Sequence, residues 1–266
     1  MSQAIEQLLA IMARLRDPDG GCPWDLEQNY RSIVPHTIEE AYEVADAIER
    51  DDLAALRDEL GDLLFQVVFY AQLAREEDAF DFEAVVLGIC QKMISRHPHV
   101  FGGADIADAE AQTLAWENRK AEERKASSGA LPISALDGIA LALPAATRAL
   151  KLQKRAARVG FDWPDSGQVI AKIEEEIAEV RAEIADGANL DRLEDEIGDV
   201  LFACVNLARK LNIEPEQALR RCNAKFERRF RSIERGLADQ GRSTDQASLE
   251  EMEALWVSAK LAERAG

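Results

Sequence analysis

Two short stretches of the sequence set carboxylates three residues apart inside otherwise apolar helical patterns. The first is DELGDLLF, residues 58–65, and the second is DEIGDVLF, residues 195–202. Residues three apart are neighbours on one face of a helix. Each inner aspartate follows a glycine and precedes apolar residues, where a free surface charge is unusual. These carboxylates are therefore candidates for a cation-binding site.

A second acidic motif, E-E-x-x-E-V, precedes each octet by a short polar segment. Such a segment between two helices predicts an antiparallel hairpin. The acidic positions of motif and octet are symmetric about the centre of each hairpin, so closing the hairpin would bring four carboxylates level with one another. The two sets are Glu40, Glu43, Glu59 and Asp62 in the first half and Glu176, Glu179, Glu196 and Asp199 in the second. The leading glutamate of each motif, Glu39 or Glu175, lies outside these symmetric sets.

Four carboxylates held so close repel one another, and a bound cation would compensate. Oxygen ligands favour Mg²⁺, Mn²⁺ or Ca²⁺. Di-iron bundles usually supply E-x-x-H pairs, whereas the histidines of this chain are His36, His97 and His99, all in the first half. We therefore expect Mg²⁺, with Mn²⁺ as a substitute. The structural alternative is a solvated acidic face, with Glu40 serving a capping box that begins at Thr37.

The acidic motifs belong to a longer internal repeat. A Gly-x-x-Trp motif lies upstream of them, and Lys-x-x-x-Arg and Trp-x-x-x-Lys motifs lie downstream, in the same order in both halves. The copies are about 140 residues apart, which indicates a tandem duplication. The three flanking motifs begin at Gly21, Lys92 and Trp116 in the first half and at Gly160, Lys225 and Trp256 in the second.

Hydrophobic periodicity predicts an all-α fold, because apolar residues recur at helical spacing and no alternating strand pattern stands out. The predicted helices lie near residues 2–16, 36–50, 53–77, 81–96, 108–126, 138–157, 166–186, 190–211, 214–238 and 248–264. A stretch rich in Ser, Gly and Pro interrupts the helical pattern near the middle of the chain. We therefore expect an N-terminal domain over 1–128, a linker over 129–136 and a C-terminal domain over 137–266.

Basic residues in the second half are suited to phosphate. Lys225 and Arg229 are four residues apart on one predicted helix, and Trp256 and Lys260 are four apart on the next. Arginine offers a fork to phosphate oxygens and lysine a point charge. Ordinary salt bridging along the helix, with Trp256 in the core, is the alternative. Beside a carboxylate-bound cation, the same residues favour a phosphate-bearing ligand.

The composition restricts the function classes. A net charge of −18 argues against binding to a nucleic-acid polymer, which requires a basic face. The amphipathic N-terminal segment is too short and too charged to serve as a secretory or membrane segment. Four cysteines without metal-binding spacing are read as reduced thiols. We expect a cytoplasmic protein that does not contact a membrane.

The spacing of E-E-x-x-E, followed about 16 residues later by E-x-x-D, resembles the MazG family of nucleoside triphosphate pyrophosphohydrolases. The likeness covers nearly the whole chain, in the tandem two-domain form. It implies an all-α tandem duplication of a MazG-like helical-bundle domain and a homodimer. Three further strings are similar to this family: RHPHVFG (96–102), KRAARVGFDW (154–163) and KFERRF (225–230).

The resemblance implies Mg²⁺-dependent hydrolysis of nucleoside triphosphates, ribo or deoxy, to monophosphate and pyrophosphate by water attack at the α-phosphate. It implies that Glu176, Glu179, Glu196 and Asp199 bind magnesium and that Lys225, Arg229, Trp256 and Lys260 lie near the nucleotide. Glu175 is a candidate base or positioning group. A second metal set would comprise Glu39, Glu40, Glu43, Glu59 and Asp62.

The surroundings of the acidic sets favour the C-terminal half as the main catalytic unit. Arg192 stands four residues before Glu196, where the first half has Ala55. We include Arg192 among the substrate-binding residues. Two alternatives stay open: a narrower all-α pyrophosphohydrolase acting on dUTP, dCTP or phosphoribosyl-ATP, and a non-catalytic helical dimer that binds nucleotide or metal.

Overall fold

A computed structural model describes residues 3–103, 134–187 and 189–265, together with 108, 111, 112, 115, 116 and 119. The regular structure of these residues is helical, without β-strands, so the predicted all-α class is confirmed. The chain divides into two compact units, Met1–Glu123 and Arg124–Gly266. Most of the predicted helix over 108–126 and of the predicted linker over 129–136 lies outside the described residues. The predicted domain bounds therefore stay a prediction.

The first unit is built around an antiparallel hairpin of α3 and α4, with α1 and α5 packed against α4. The hairpin turn contains Asp51, whose backbone is left-handed at φ 54°. Asp52 then caps α4 by accepting hydrogen bonds from the Ala54 and Ala55 amides. The helices are α1 (Gln3–Leu15), α2 (Pro23–Glu27), α3 (Tyr30–Glu49), α4 (Leu53–Glu76), α5 (Phe82–Arg96) and α6 (Pro98–Phe101).

The start of α3 differs from the prediction. Its N-cap is Asn29, whose side chain accepts from the backbone amides of the first turn, and Pro35 lies inside the helix. The sequence-based start at residue 36 was wrong because proline usually ends or kinks a helix. The capping role considered for Thr37 is also wrong. Thr37 lies within α3, where its Oγ1 donates to the Ile33 carbonyl oxygen at 3.2 Å.

One apolar cluster joins three helices of the first unit. Met12 of α1, Ile33 of α3 and Phe69 of α4 are each at most 1% exposed and pack together with Val68 and Leu73. Burial of this apolar surface is the main force holding the hairpin to α1. The hairpin that carries the first acidic set thus has a fixed apolar side.

The second unit repeats the hairpin with α8 and α9, and α7 packs against α9 and α10. Its buried apolar residues are Leu150, Val169, Ala203, Val205, Ile233 and Leu237. Pro144 occupies the N-cap position of α7, so that helix begins seven residues later than predicted. The helices are α7 (Ala145–Arg158), α8 (Ser166–Ala185), α9 (Leu190–Lys210), α10 (Pro215–Ala238) and α11 (Leu249–Ala265), with a short 3₁₀ turn at Thr244–Gln246.

Candidate metal and nucleotide site

Side-chain caps begin the helices that carry the acidic residues of the second unit. The Asp165 carboxylate accepts from the Gln168 amide at 3.0 Å and starts α8. The Asn189 carbonyl oxygen accepts from the Arg192 amide at 3.0 Å and starts α9. These caps satisfy amides that have no partner within the helix. They fix where each helix starts, and hence which residues face the partner helix of the hairpin.

Three carboxylates converge in the second hairpin. Glu176 of α8 and Glu196 and Asp199 of α9 each offer an oxygen, and these atoms lie within 4.8 Å of one another. Glu176 is buried, at 6% exposure, so its charge is removed from water. The fourth predicted residue, Glu179, is hydrogen-bonded to Glu176. The structure therefore brings the four predicted residues together, while their role as ligands stays a prediction.

The hydrogen bond between Glu176 and Glu179 polarises their titration. It is the first cause that raises the pKa of Glu179, and burial and the negative charge of Glu176 add to it. A hydrogen bond between two carboxyl groups requires a proton on one of them. The raised pKa therefore reflects a cluster that lacks a cation to neutralise it.

Lys172 lies against the acidic cluster, a feature that the sequence reasoning missed. Its Nζ donates to Glu175 Oε1 at 2.7 Å and lies 2.8 Å from Glu176 Oε1. The Lys172 hydrogen bond lowers the pKa of Glu176, and the two glutamates raise the pKa of Lys172. The signal was its position, three and four residues before the glutamates on the same helix. Glu175 lies outside the group of convergent oxygens and pairs with this lysine.

The first hairpin gathers a matching set. Oxygens of Glu40, Glu43 and Glu59 lie within 4.8 Å of one another. Burial raises the pKa of Glu40, and the charges of Asp62 and Glu43 raise it further. Burial likewise raises the pKa of Glu59, followed by the charges of Glu43 and Asp62. Asp62 is thus close to the cluster, although it is not among the convergent oxygens.

The residue that matches Lys172 in the first unit is His36. Its Nδ1 lies 3.8 Å from Glu39 Oε2, and its ring meets Trp24 edge-on at 5.8 Å. Glu39 is therefore engaged by histidine, as Glu175 is engaged by lysine. The two units share their carboxylates but differ in the cation beside them.

The predicted phosphate-binding residues lie on α10 and α11. The Arg229 guanidinium donates to Glu263 at 2.8 Å and lies 5.4 Å from the centre of the Trp256 ring. In the described part of the chain, Lys225 and Lys260 form no ion pair, and none of these four side chains contacts the carboxylate cluster. Arg192 is ion-paired with Glu183. Their nucleotide-binding role stays a prediction.

The chemistry of the clusters suits a hard divalent cation. Each offers three convergent carboxylate oxygens, the donor type that Mg²⁺ and Mn²⁺ prefer. No cysteine or histidine belongs to either group of convergent ligand atoms found among the described residues. A small cavity of about 150 Å³ adjoins the second cluster and is lined by Lys172, Glu176 and Asp199 on its polar side. The site thus combines a cation-binding set with room for part of a ligand.

Helical hairpins that present convergent carboxylates, in two copies, define a duplicated helical protein suited to binding divalent cations. The family model of the MazG nucleotide pyrophosphohydrolase domain matches residues 28–101 and 166–233. The chain belongs to this family. The match falls once in each unit, so the predicted tandem duplication is confirmed.

Curated relatives extend this likeness over nearly the full chain. A nucleoside triphosphate pyrophosphohydrolase of Escherichia coli (strain K12) is 51% identical over 96% of this chain and 97% of that protein. The nucleoside triphosphate pyrophosphohydrolase/pyrophosphatase MazG of Thermotoga maritima is 40% identical over 96% of this chain and 95% of that protein. The uncharacterized protein YabN of Bacillus subtilis (strain 168) is 42% identical over 96% of this chain and 51% of that protein.

Proposed function

We propose that the chain is an enzyme, a nucleoside triphosphate pyrophosphohydrolase that converts nucleoside triphosphate and water into nucleoside monophosphate and pyrophosphate. The observation that carries this proposal is the convergence of Glu176, Glu196 and Asp199, with Lys172 beside them, in a chain of this family. The printed names of the relatives from E. coli and T. maritima support the enzyme class.

The carboxylates of the second unit would hold Mg²⁺, with Glu179 completing the set. When bound, Mg²⁺ would offset the charge of the triphosphate and draw electron density from the phosphoryl group. The four carboxylates supply the negative charge that retains a divalent cation. Lys172 supplies a positive charge next to Glu176, where a phosphate oxygen would otherwise be repelled.

The proposed reaction is attack of water on the α-phosphorus. A new phosphorus–oxygen bond forms to water, and the bond from the α-phosphorus to the bridging oxygen breaks. Pyrophosphate leaves with that oxygen, and the water gives up a proton. We nominate Glu175 to accept that proton or to orient the water, because it lies next to the cluster without belonging to it. Arg192, Lys225, Arg229 and Lys260 would neutralise the phosphates, and Trp256 would contact the nucleotide.

The C-terminal unit is proposed as the main catalytic unit. Its cluster has a lysine and an arginine on the helices that carry it, where the first unit has His36 and Ala55. Parallel Glu196→Ala and Glu59→Ala variants test this, with turnover of ATP as the readout. We expect Glu196→Ala to lose more than the roughly 10–100-fold typical of losing a contact that supports a metal ligand, and Glu59→Ala to lose far less. Equal losses from both variants would overturn this assignment.

The functional unit is further proposed to be a homodimer. In the structure no residue of α5 is buried, and Val86, Leu87 and Ile89 are 39%, 53% and 48% exposed. An apolar helix face of this kind requires a partner layer. A second copy of the chain, as the family resemblance implies, would provide it.

A cytoplasmic location stays part of the proposal. The four cysteines form no disulfide, as expected of a reducing compartment. Among the described helices, none has the length and apolar character needed to cross a membrane.

A further inference from the structure

A second cavity of the C-terminal unit adjoins the carboxylate site. It has a volume of about 310 Å³, lies among α7, α9 and the segment before α8, and is lined mainly by apolar side chains. Trp163, Phe202 and Asn206 line both this cavity and the smaller one that reaches Glu176 and Asp199. An apolar recess therefore continues directly from the acidic cluster. We refer to the larger recess as the α7–α9 cavity.

A buried glutamine in the α7–α9 cavity has an unused acceptor. Gln153 is 7% exposed, and its Nε2 donates to the Phe202 carbonyl oxygen at 2.8 Å. Its Oε1 is buried and accepts no hydrogen bond in the described structure. A buried acceptor without a donor costs about 1–3 kcal/mol, so a native protein rarely retains one without a use. The bond to Phe202 fixes which end of the amide is left for a ligand.

A buried asparagine provides the complementary donor. Asn206 is 2% exposed, and its Oδ1 accepts from Arg209 Nε at 2.9 Å and from Arg209 Nη2 at 2.7 Å. Because a guanidinium can only donate, the atom that faces Arg209 must be the amide oxygen. The Nδ2 group of Asn206 forms no hydrogen bond within the described residues. One wall of the cavity thus offers a donor and another offers an acceptor.

The duplicated first unit shows that neither feature is needed for folding. Phe69 and Asn206 are equivalent, each seven residues after the octet aspartate. Phe69 is 1% exposed and packs with Met12 and Ile33 in the apolar core. The same backbone position therefore accepts an aromatic side chain that fills the interior. An asparagine there loses apolar packing and buries a polar group, which a ligand would offset.

We propose that the α7–α9 cavity receives the nucleobase of the nucleoside triphosphate whose phosphates lie at the carboxylates, an inference that rests on the proposed function. Trp163 and Phe202 offer aromatic faces on which a base stacks. Asn206 donates to, and Gln153 accepts from, polar atoms on the edge of the base. All the common nucleobases carry both a donor and an acceptor on their pairing edge, so the pair recognises bases as a class rather than one base.

The test compares a nucleoside triphosphate with ribose 5′-triphosphate, which has the same sugar and phosphates but no base. In the wild-type protein we expect a KM for ATP at least roughly tenfold lower than for ribose 5′-triphosphate, the scale of one stacked base. Equal KM values in the wild type would overturn the base assignment without reference to any variant.

Two variants then locate the effect. Asn206→Phe installs the residue of the first unit, and Gln153→Met removes both polar atoms with little change of shape. We expect each to raise the KM for ATP several-fold and to leave the KM for ribose 5′-triphosphate unchanged. Lys154→Met, at the exposed position next to Gln153, is the control and should alter neither.

The outcomes separate this inference from the proposed function. If the wild type forms no monophosphate and pyrophosphate from ATP, the proposed function fails. If the wild type is active and discriminates, but both variants melt as the wild type does and keep its KM values for both substrates, the inference is wrong. Equal rises for both substrates would also overturn it, because they would show a general effect on the site. If Asn206→Phe does not fold, the isosteric Gln153→Met variant decides.

Discussion

The carboxylates of each hairpin carry the chemistry at the scale of single residues. Their oxygens converge within 4.8 Å in both units, and this proximity alters their protonation. The pKa values of Glu40 and Glu59 are raised first by burial, and that of Glu179 is raised first by its bond to Glu176. Without a cation, the cluster favours protons.

These shifts predict how magnesium stabilisation depends on pH. A carboxyl group with a raised pKa contributes stability that is full below its unfolded value and is lost as pH rises through the folded value. The metal-free fold is therefore weakened at neutral pH, where Mg²⁺ would relieve the repulsion. We expect Mg²⁺ to raise the melting temperature more at neutral pH than at a pH of about 5, where protons compete. The check is thermal denaturation with and without Mg²⁺ at both pH values. A shift of the same size at both would contradict this account.

Lys172 predicts two opposite effects of one substitution. In Lys172→Met, a positive charge beside Glu176 is lost, so the site should bind Mn²⁺ more tightly in the absence of nucleotide. Turnover of ATP should fall, because the triphosphate loses a cation. Paramagnetic titration of Mn²⁺ and steady-state kinetics measure the two effects, with Lys154→Met as the control. Weaker Mn²⁺ binding together with normal turnover would contradict the proposed role.

Residue spacing in the sequence was enough to predict which carboxylates meet. Glu176 and Asp199 lie at positions that are symmetric in the hairpin, and hairpin symmetry follows from local helix formation alone. The engagement of Arg192 by Glu183 and the unused polar atoms of Gln153 and Asn206 were not predictable in this way. They depend on long-range packing and on which of several possible partners a flexible side chain selects.

At the scale of elements, helix caps and one buried arginine hold the acidic hairpins in register. Arg16 is 8% exposed and forks onto Glu76 of α4, with Nη2 to Oε2 at 2.6 Å and Nε to Oε1 at 2.9 Å. It also donates to the carbonyl oxygens of Asp25 and Gln28. One side chain thus joins α1, α2 and α4. The hydrogen bond to Arg16 is the first cause that lowers the pKa of Glu76.

Replacing Arg16 should weaken the first unit even when the charge is kept. In Arg16→Lys, a point charge replaces the planar fork, so it cannot satisfy Glu76 and both carbonyl oxygens at once. A loss of about 1–3 kcal/mol in unfolding free energy is expected from the unsatisfied acceptors. Denaturant unfolding measures it, with Arg14→Lys, on the exposed side of the same helix, as the control. Equal effects of the two substitutions would contradict the role assigned to Arg16.

The cap of α8 provides a second test at this scale. Asp165→Ala removes the acceptor for the Gln168 amide and should cost about 1 kcal/mol of stability. Because α8 carries Glu176, its first turn would fray, and affinity for Mn²⁺ should fall. Asp165→Asn keeps a capping oxygen and should restore most of both properties. Loss of neither property in the alanine variant would show that the cap does not support the site.

Helix boundaries show where element prediction failed. Pro35 was read as a break, yet α3 runs through it because Asn29 caps its start and Ile33 anchors its first turns in the core. Apolar periodicity identified the hairpin helices correctly, since one face of each is buried. A local rule for proline was outweighed by a cap and by tertiary packing, neither of which periodicity reveals.

At the scale of the whole molecule, a duplicated chain has diverged in its two copies. The carboxylates are kept in both units, while the lysine beside them, and the asparagine and the cavity next to them, are features described in the second. This asymmetry agrees with a main catalytic unit at the C-terminal end. The resemblance to a family with homodimers adds a further level of assembly.

The proposed dimer predicts a change of oligomeric state on α5. Leu87→Glu places a charge on an exposed apolar face and should shift the protein to monomers, because burying that charge in an interface is costly. Gln91→Glu, at an exposed polar position on the same helix, is the matched control. Sedimentation velocity over a range of concentrations measures the effect. A monomeric wild type, or a Leu87→Glu variant that is as dimeric as the wild type, would contradict the proposed interface.

The most direct test of the central claim is the fate of labelled oxygen. ATP is incubated with Mg²⁺ and the wild-type protein in ¹⁸O-labelled water, and the products are separated and weighed by mass spectrometry. Water attack at the α-phosphorus predicts monophosphate and pyrophosphate, with the label in the monophosphate and with the activity lost in Glu196→Ala. Label in the pyrophosphate, or diphosphate with inorganic phosphate as the products, would contradict the account.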